Sequence, residues 1–258
     1  MVPLVVSFGG GVNSAAMLVG MKERGITPSL IIFADTGGEK PETYSFVSQM
    51  SEWTIENLGQ AIITTKTVSP LYATLEDACL YLKTLPSVVY GFRKCSQRWK
   101  IEPVNKWLNH WEPAKQCWKS GEKVIKAIGI DAGEQRRAKI YDDPKYISRY
   151  FLIEWGWDRE ECKAAILRAG LQIPTKSACF FCPSSTKKEV FALKREHPEL
   201  FDRAVDLEHA ASEKLIVIKG LGRHWSWEEL VANAENQGKL FPETVQAPCV
   251  CFDGEEDD

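Results

Sequence analysis

Residues 4–14 read LVVSFGGGVNS, a mostly apolar run that meets three consecutive glycines. From Asn13 to Arg24 the apolar residues recur at helical spacing, and Gly25 is placed to end that helix. A strand, a glycine loop and a helix in this order expose backbone N–H groups at the positive end of the helix dipole, which favours a bound phosphate. The alternative is a plain glycine turn. The candidate phosphate-binding residues are Ser7, Gly9, Gly10, Gly11, Asn13 and Ser14.

Strands and helices alternate outward from this loop. The predicted strands after the first lie at 30–33, 61–68 and 124–130, and a helix beginning at Pro41 is predicted to reach Leu58. This alternation predicts an α/β fold, a Rossmann-like parallel sheet with helices on both faces. In such sheets ligands bind at the carboxyl ends of the strands.

The pattern becomes helical from about residue 150. Asp158 is placed to cap a helix that has Cys162, Ala165 and Ile166 on one face. We therefore predict two segments, a nucleotide-binding α/β domain at 1–150 and a helical C-terminal region at 151–258 with a CxxC motif and a cysteine-containing tail.

Composition is that of a folded protein. The 258 residues are 44% hydrophobic and 26% charged, which excludes a disordered or fibrous chain. No apolar run is long enough to span a membrane and no export signal is recognisable, so we expect a cytoplasmic protein without membrane contact. The net charge of -3 gives no global basic field, and nucleic acid would need a local patch such as Arg93, Lys94, Arg98 and Lys100.

The glycine loop resembles the SGGxDS loop of the PP-loop ATP pyrophosphatases. Gly9, Gly10, Gly11, Asn13 and Ser14 fall where that pattern has Ser, Gly, Gly, Asp and Ser, so the chain departs from it at Gly9 and Asn13. Backbone N–H donors survive both changes. The loop matches neither a Walker A motif nor GxGxxG.

Three further blocks resemble the phosphoadenylylsulfate (PAPS) reductase family, which includes the sulfurtransferase of DNA phosphorothioation. Residues 34–37 (ADTG) with 41–44 (PETY) are similar to the family's DTG and PET. Residues 93–103 resemble its cysteine, lysine and proline block, and residues 129–137 (GIDAGEQRR) resemble its GxRxxEsxxR stretch. The blocks occur in the family's order.

The resemblance implies an adenine nucleotide α-hydrolase-like sheet that binds ATP or a sulfonucleotide, with Mg²⁺. Asp35 is then expected near the adenosine, and Glu134, Arg136 and Arg137 around the phosphates. For the two arginines the alternative is a solvated helix face. The implied nucleotide-binding residues outside the glycine loop are Asp35, Thr36, Gly129, Glu134, Arg136 and Arg137.

Eight cysteines without an export signal favour metal binding or thiol chemistry over a disulfide framework. Cys179-Phe180-Phe181-Cys182 has a spacing that suits a metal, a cluster or a redox disulfide. A zinc site or a [4Fe-4S] cluster commonly takes four ligands, and Cys95, Cys249 and Cys251 are the candidates for the other two. We assign Cys79, Cys117 and Cys162 to packing.

The resemblance to iron-sulfur reductases of the family implies that Cys95, Cys179 and Cys182 hold a [4Fe-4S] cluster; zinc stays open because spacing does not separate the two metals. Our hypothesis for the tail is that Cys249 or Cys251 is the fourth ligand and that the other carries sulfur as the catalytic residue.

Nine tryptophans offer a further candidate surface. Those in the middle third lie next to the basic segment and suit base stacking, with core packing as the alternative. They are Trp99, Trp107, Trp111, Trp118, Trp155 and Trp157.

Together these features lead to a nucleotide-dependent sulfur-transfer enzyme as the first hypothesis. It would split ATP into AMP and pyrophosphate to activate an acceptor, with nucleic acid as the candidate acceptor and a cysteine desulfurase as an example of the sulfur donor. One alternative is an adenylylsulfate or phosphoadenylylsulfate reductase that releases sulfite with thioredoxin, although the tail lacks the histidine of such reductases. Another is a non-catalytic nucleotide- and metal-binding module. Whether the chain forms a homodimer is left open.

Overall fold

The computed structural model describes residues 2–139 and 143–236. Cys249 and Cys251, which we predicted as cluster ligand and sulfur carrier, lie outside the described residues. No helix among the described residues combines the length and the hydropathy needed to cross a bilayer.

Strands alternate with helices along the first half of the chain. The strands are β1 (Leu4–Phe8), β2 (Leu30–Asp35), β3 (Ile62–Lys66), β4 (Val124–Ile128) and β5 (Tyr146–Arg149). The helices that follow or separate them are α1 (Val12–Glu23), α2 (Pro41–Leu58), α3 (Leu75–Leu82), α4 (Lys94–Ser96), α5 (Glu102–His110), α6 (Glu112–Lys119), α7 (Phe151–Glu154), α8 (Arg159–Arg168), α9 (Lys187–Glu196), α10 (Pro198–Ala211) and α11 (Trp227–Asn236). Turns of 3₁₀ helix occupy Ser87–Tyr90, Ala132–Arg137 and Ser212–Lys214, and a π-helical turn occupies Gln97–Ile101.

The five strands form one sheet in the order β3-β2-β1-β4-β5, and all four pairs are parallel. In the register of the central strand, Val5 lies opposite Leu30 of β2 and Lys126 of β4. The chain winds outward from β1 to β3 and then returns to the other side of β1 for β4. This arrangement confirms the predicted Rossmann-like α/β class with a helical C-terminal region.

Two hydrophobic layers cover the two faces of the sheet because successive strand residues point to opposite sides. Val6 and Phe8 of β1 belong to the layer that contains the buried residues of α1 and α8. Val5, which precedes Val6 and points to the opposite side, belongs to the layer that contains Val104 and Leu108 of α5. The central strand is therefore buried on both faces, as a parallel strand requires.

The chain divides into two compact units. The first contains the residues up to Ser69 together with Ser96–Ala178, and it includes the whole sheet. The second contains Pro70–Cys95 and the described chain from Cys179 onward. The division by contacts therefore differs from the two segments that we predicted, since the boundary at residue 150 falls inside the first unit.

A buried carboxylate organises the second unit. Glu208 of α10 accepts hydrogen bonds from the backbone N–H of Leu221 at 2.6 Å and of Trp227 at 3.0 Å. Trp227 is the first residue of α11, so the carboxylate stabilises the start of that helix. Burial is the main cause that raises the pKa of Glu208.

Lys126 in β4 makes the stability of the sheet depend on pH. Its ammonium lies 3.4 Å from the centroid of the Tyr146 ring and donates to Asn105 Oδ1, yet burial lowers its pKa to about 8. The folded-state pKa is below the unfolded one, so wild-type stability rises with pH between these two values. We expect Lys126→Met to be more stable than wild type at pH 7 by about 1–3 kcal/mol, with the difference shrinking as the pH rises above 8.

Urea unfolding of the two proteins between pH 7 and pH 10 measures this difference. Lys119→Met, at an exposed position of α6, is the matched control and should show no such trend. A difference between Lys126→Met and wild type that stays constant over this pH range would contradict the assignment.

Candidate functional site

The crevice outside the carboxyl ends of β1 and β4 lies where the winding of the sheet reverses. Such a switch point is where open parallel sheets bind their ligands. The loop after β1 carries the glycines, Gly9, Gly10 and Gly11, and leads directly into α1. The loop after β4 begins with Gly129. The predicted phosphate loop is therefore at the ligand-binding edge of the sheet.

The glycine loop has a fixed shape. Gly10 has a φ of 73°, in the left-handed region that glycine adopts without strain. Ser14 holds the loop from within the first turn of α1: its hydroxyl accepts from Gly9 N–H at 3.2 Å and donates to Gly11 C=O at 3.0 Å. Gly11 caps α1 without a side-chain hydrogen bond, and the first turn has no acidic residue. These features suit an anion at the start of α1.

The loop after β4 packs against the first turn of α1, directly after the glycine loop. A Cβ atom at Gly129 would lie 2.9 Å from the backbone nitrogen of Ser14 and 3.0 Å from the carbonyl carbon of Asn13. A side chain larger than hydrogen is therefore excluded at this point. Gly129, which we predicted to bind the nucleotide, is therefore where the loop after β4 meets the start of α1.

Asn13 links three polar groups of the crevice. Its Nδ2 donates to Asp131 Oδ2 at 3.0 Å and to Glu134 Oε2 at 3.4 Å, while its Oδ1 accepts from Arg159 Nη1 at 2.9 Å. Asp131 is buried and its Oδ1 also accepts from Glu134 N–H at 3.0 Å. An aspartate at position 13, as in the SGGxDS pattern, would place a third carboxylate among these groups. The amide avoids that repulsion and donates to both neighbours.

The predicted phosphate ligands after β4 take different positions. Glu134 pairs with Arg137 at 2.5 Å and is also within reach of Asn13. Arg136 is exposed at the surface. Arg159, which the sequence did not single out, is the arginine that contacts the glycine loop. Arg159 lies at the start of α8, far from the glycine loop in sequence, so no local motif identified it as a site residue.

Asp35, at the end of β2, uses both of its carboxylate oxygens within the protein. Oδ1 accepts from Gly37 N–H and from the Tyr44 hydroxyl, each at 2.8 Å, and Oδ2 pairs with Lys66 Nζ at 3.2 Å. Burial and then the hydrogen bond to Asp35 raise the pKa of Tyr44. In the described structure Asp35 shapes the loop after β2, in which Thr36 is buried as well. Its predicted contact with adenosine stays a prediction.

Glu39 and Lys100 form an ion pair that sequence reasoning did not predict. Lys100 Nζ lies 3.2 Å from Glu39 Oε1, and the Glu39 side chain is 0% exposed against 39% for Lys100. Lys100 belongs to the π-helical turn, an irregularity that is frequent at functional sites. No sequence pattern marks Glu39 as a site residue, because acidic residues are common in loops. Lys100 was expected in a basic segment and in the cysteine, lysine and proline block, without a partner.

The three cysteines predicted as cluster ligands belong to the second unit. Cys179 and Cys182 form one turn, with Cys182 N–H donating to Cys179 C=O at 3.0 Å. Cys95 N–H donates to Ser87 Oγ at 2.8 Å. Across residues 2–139 and 143–236, no group of three or more histidine, cysteine, aspartate or glutamate side chains is arranged to hold a metal ion. The assignment of Cys95, Cys179 and Cys182 as cluster ligands stays a prediction.

The remaining cysteines of the described chain are buried, as expected for packing residues. Burial raises the pKa of Cys79 and of Cys162 to about 12 and raises that of Cys117. Thiols in this state are poor nucleophiles because so little thiolate forms near neutral pH.

The six tryptophans singled out in the middle third of the chain divide into two groups. Trp99 and Trp157 are buried in the core. The others are partly buried, Trp155 against the layer of α1 and the rest against the layer of α5. The latter are Trp107, Trp111 and Trp118.

Comparison with known proteins finds matches among solved structures. No family model matches the chain, and no curated protein is significantly similar to it. The solved structures that it resembles include the U34-tRNA thiolase NcsA from Methanococcus maripaludis with its [4Fe-4S] cluster. The identity is 14%, the alignment covers 95% of this chain and 84% of that chain, and the TM-score is 0.36. Likeness at this level does not extend to function.

Replacing Asn13 tests the link between the two loops. Asn13→Asp brings a third carboxylate beside Asp131 and Glu134, so we expect a loss of about 1–3 kcal/mol in unfolding free energy at pH 8. Thermal and urea unfolding at pH 8 measure it.

Asn13→Ala removes the amide without adding charge and is the control. Its loss of stability at pH 8 should be smaller than that of Asn13→Asp, and the difference between the two variants measures the repulsion. An Asn13→Asp protein as stable as wild type at pH 8 would contradict the network.

Proposed function

We propose that the chain is a nucleotide-dependent sulfur-transfer enzyme that uses ATP to activate an acceptor for thiolation, releasing AMP and pyrophosphate. The observation that carries the proposal is the glycine loop, held by Ser14 at the start of α1, at the point where the sheet reverses its winding. The resemblance of four sequence blocks to PP-loop and PAPS reductase proteins supports the choice of ATP and of sulfur chemistry.

Backbone N–H groups of the loop would bind the phosphates, and nearby cations would balance their charge. Arg159 is close enough to contact Asn13, and Arg136 extends from the loop after β4 into solvent. Lys100 is held by the buried carboxylate of Glu39. Mg²⁺ bound to the triphosphate would add positive charge at the leaving group, and the carboxylates of Asp131 and Glu134 have the oxygen ligands that it prefers.

Two displacements make up the proposed reaction. An oxygen of the acceptor attacks the α-phosphorus, the bond from that phosphorus to the bridging oxygen breaks, and pyrophosphate leaves. A sulfur nucleophile at the oxidation level of sulfide then attacks the carbon that bears the adenylated oxygen; a C–S bond forms and AMP leaves with the oxygen. Positive groups around the glycine loop stabilise the charge that develops on both leaving groups.

The roles of the cysteines in the sulfur step are part of the proposal. Cys95, Cys179 and Cys182 are the proposed cluster ligands with Cys249, and Cys251 is the proposed sulfur carrier, with Cys249 as the other candidate for that role. A [4Fe-4S] cluster held there would supply electrophilic iron for sulfur ligation, and a zinc ion would be structural.

Changing Gly10 tests whether the loop binds the nucleotide. In Gly10→Ala, the new Cβ would need a left-handed φ and would lie 3.1 Å from Thr43 Cγ2. We expect ATP binding by equilibrium dialysis, and ³²P-pyrophosphate release from γ-labelled ATP with total RNA or DNA as acceptor, to fall at least about 10-fold.

Gly25→Ala is the matched control because Gly25 also has a left-handed φ, 65°, and no atom lies within 4 Å of its added Cβ. It should lose stability but keep both activities. Sulfite release from an adenylylsulfate with thioredoxin would favour the reductase instead. Tight ATP binding without turnover would favour the binding module.

Metal analysis tests the proposed cysteine site. Protein purified without oxygen should carry about four iron and four sulfide per chain, with broad visible absorption. Cys95→Ala, Cys179→Ala and Cys182→Ala should each lose them, whereas Cys117→Ala, at a buried packing position, should keep them. A colourless protein with one zinc would contradict the cluster and leave these thiols a structural role.

A further inference from the structure

A groove of about 450 Å³ runs along the first unit between the end of β3 and the helices α5 and α6. Its size is in the range of small-molecule sites. No residue of the predicted nucleotide site lines it. The side chains that give it its chemical character are Lys66, Val68, Lys106, Trp107, His110 and Trp111.

The groove has an aromatic wall. The rings of Trp107 and Trp111 have centroids 5.9 Å apart and planes at 41°. Both side chains are only partly buried, and both pack against the hydrophobic layer that contains Val104 and Leu108. The rings are thus anchored by the core yet reachable from solvent, so stacking a further ring on them orders few additional side-chain torsions.

Basic groups border this wall. Lys106 and His110 are exposed on α5, and the Lys66 side chain is 62% exposed. Glu112 is the acidic residue of the groove and pairs with Lys115 at 3.7 Å. The groove is thus lined by two lysines against one glutamate, although the chain as a whole has a net charge of -3. Aromatic faces beside lysines are the combination that binds unpaired bases and their phosphates.

Lys66 connects the groove to the crevice edge. Its Nζ pairs with Asp35 Oδ2 at 3.2 Å, and Lys66 lies opposite Asp35 in the register of β2 and β3. The β-strands β2 and β3 end at the same edge of the sheet as β1. A nucleic-acid chain lying in the groove would therefore reach the edge at which we propose that the nucleotide binds.

We propose that this groove binds a single-stranded segment of nucleic acid, with unpaired bases stacked on Trp107 and Trp111 and phosphates on Lys66 and Lys106. The proposal rests on the proposed function in one respect, because it makes this strand the acceptor. Binding itself needs no ATP.

Fluorescence anisotropy of labelled single strands of about 12 nucleotides, RNA and DNA, measures the binding without ATP. We expect Trp107→Leu to weaken binding roughly 10-fold. Lys106→Glu should weaken it by a similar factor and reduce the slope of log Kd against log salt by about 1. Trp118→Leu and Lys119→Glu, outside the groove, are the matched controls and should bind as wild type does. Lys106→Glu decides the result if Trp107→Leu fails to fold.

Three results would overturn the proposal. The first is binding by Lys106→Glu and a folded Trp107→Leu within twofold of wild type; the second is an equal loss in the two controls. The third is a parallel loss of ATP affinity in the groove variants, which would make the groove the site of the nucleotide's own base. Binding of the single strand without pyrophosphate release would support the groove and contradict the proposed function. Pyrophosphate release without binding in the groove would contradict the groove alone.

Discussion

The amide of Asn13 ties the loop after β1 to the loop after β4, and the shape of the crevice follows from that tie. The NH₂ group of this amide donates hydrogen bonds to Asp131 and Glu134, and its oxygen accepts one from Arg159. Hydrogen bonds to charged partners are the stronger kind. Gly129 also lies against the backbone of Asn13 and Ser14, so the loop after β4 packs closely on the first turn of α1.

This tie also sets the electrostatics of the site. Two carboxylates close to a phosphate loop would repel a nucleotide, but here the Asn13 amide and Arg137 are directed at them. The start of α1 keeps its positive end without an acidic residue in the first turn. A second pair, buried Glu39 with half-exposed Lys100, adds a cation held in place. The crevice thereby suits an anionic ligand even though the chain as a whole is acidic.

The sequence was most informative where local patterns and the fold agree. The buried run of β1, the glycines and the Pro41 helix start were all predictable, and Asp158 does cap α8 by accepting from the N–H groups of Glu160 and Glu161. The short strand β5 was missed because Tyr146–Arg149 has no continuous apolar run. Contacts between distant segments, such as Asn13 with Arg159 or Glu39 with Lys100, have no periodicity to read and needed the fold.

The proposed function requires backbone N–H groups between Gly10 and Ser14 to hold the nucleotide's phosphates. A crystal structure with a non-hydrolysable ATP analogue and Mg²⁺ tests it most directly. We expect phosphate oxygens within about 3 Å of these nitrogens, at the start of α1 and beside Arg159. Phosphates bound elsewhere on the protein, with residues 10–14 free of contact, would contradict the claim.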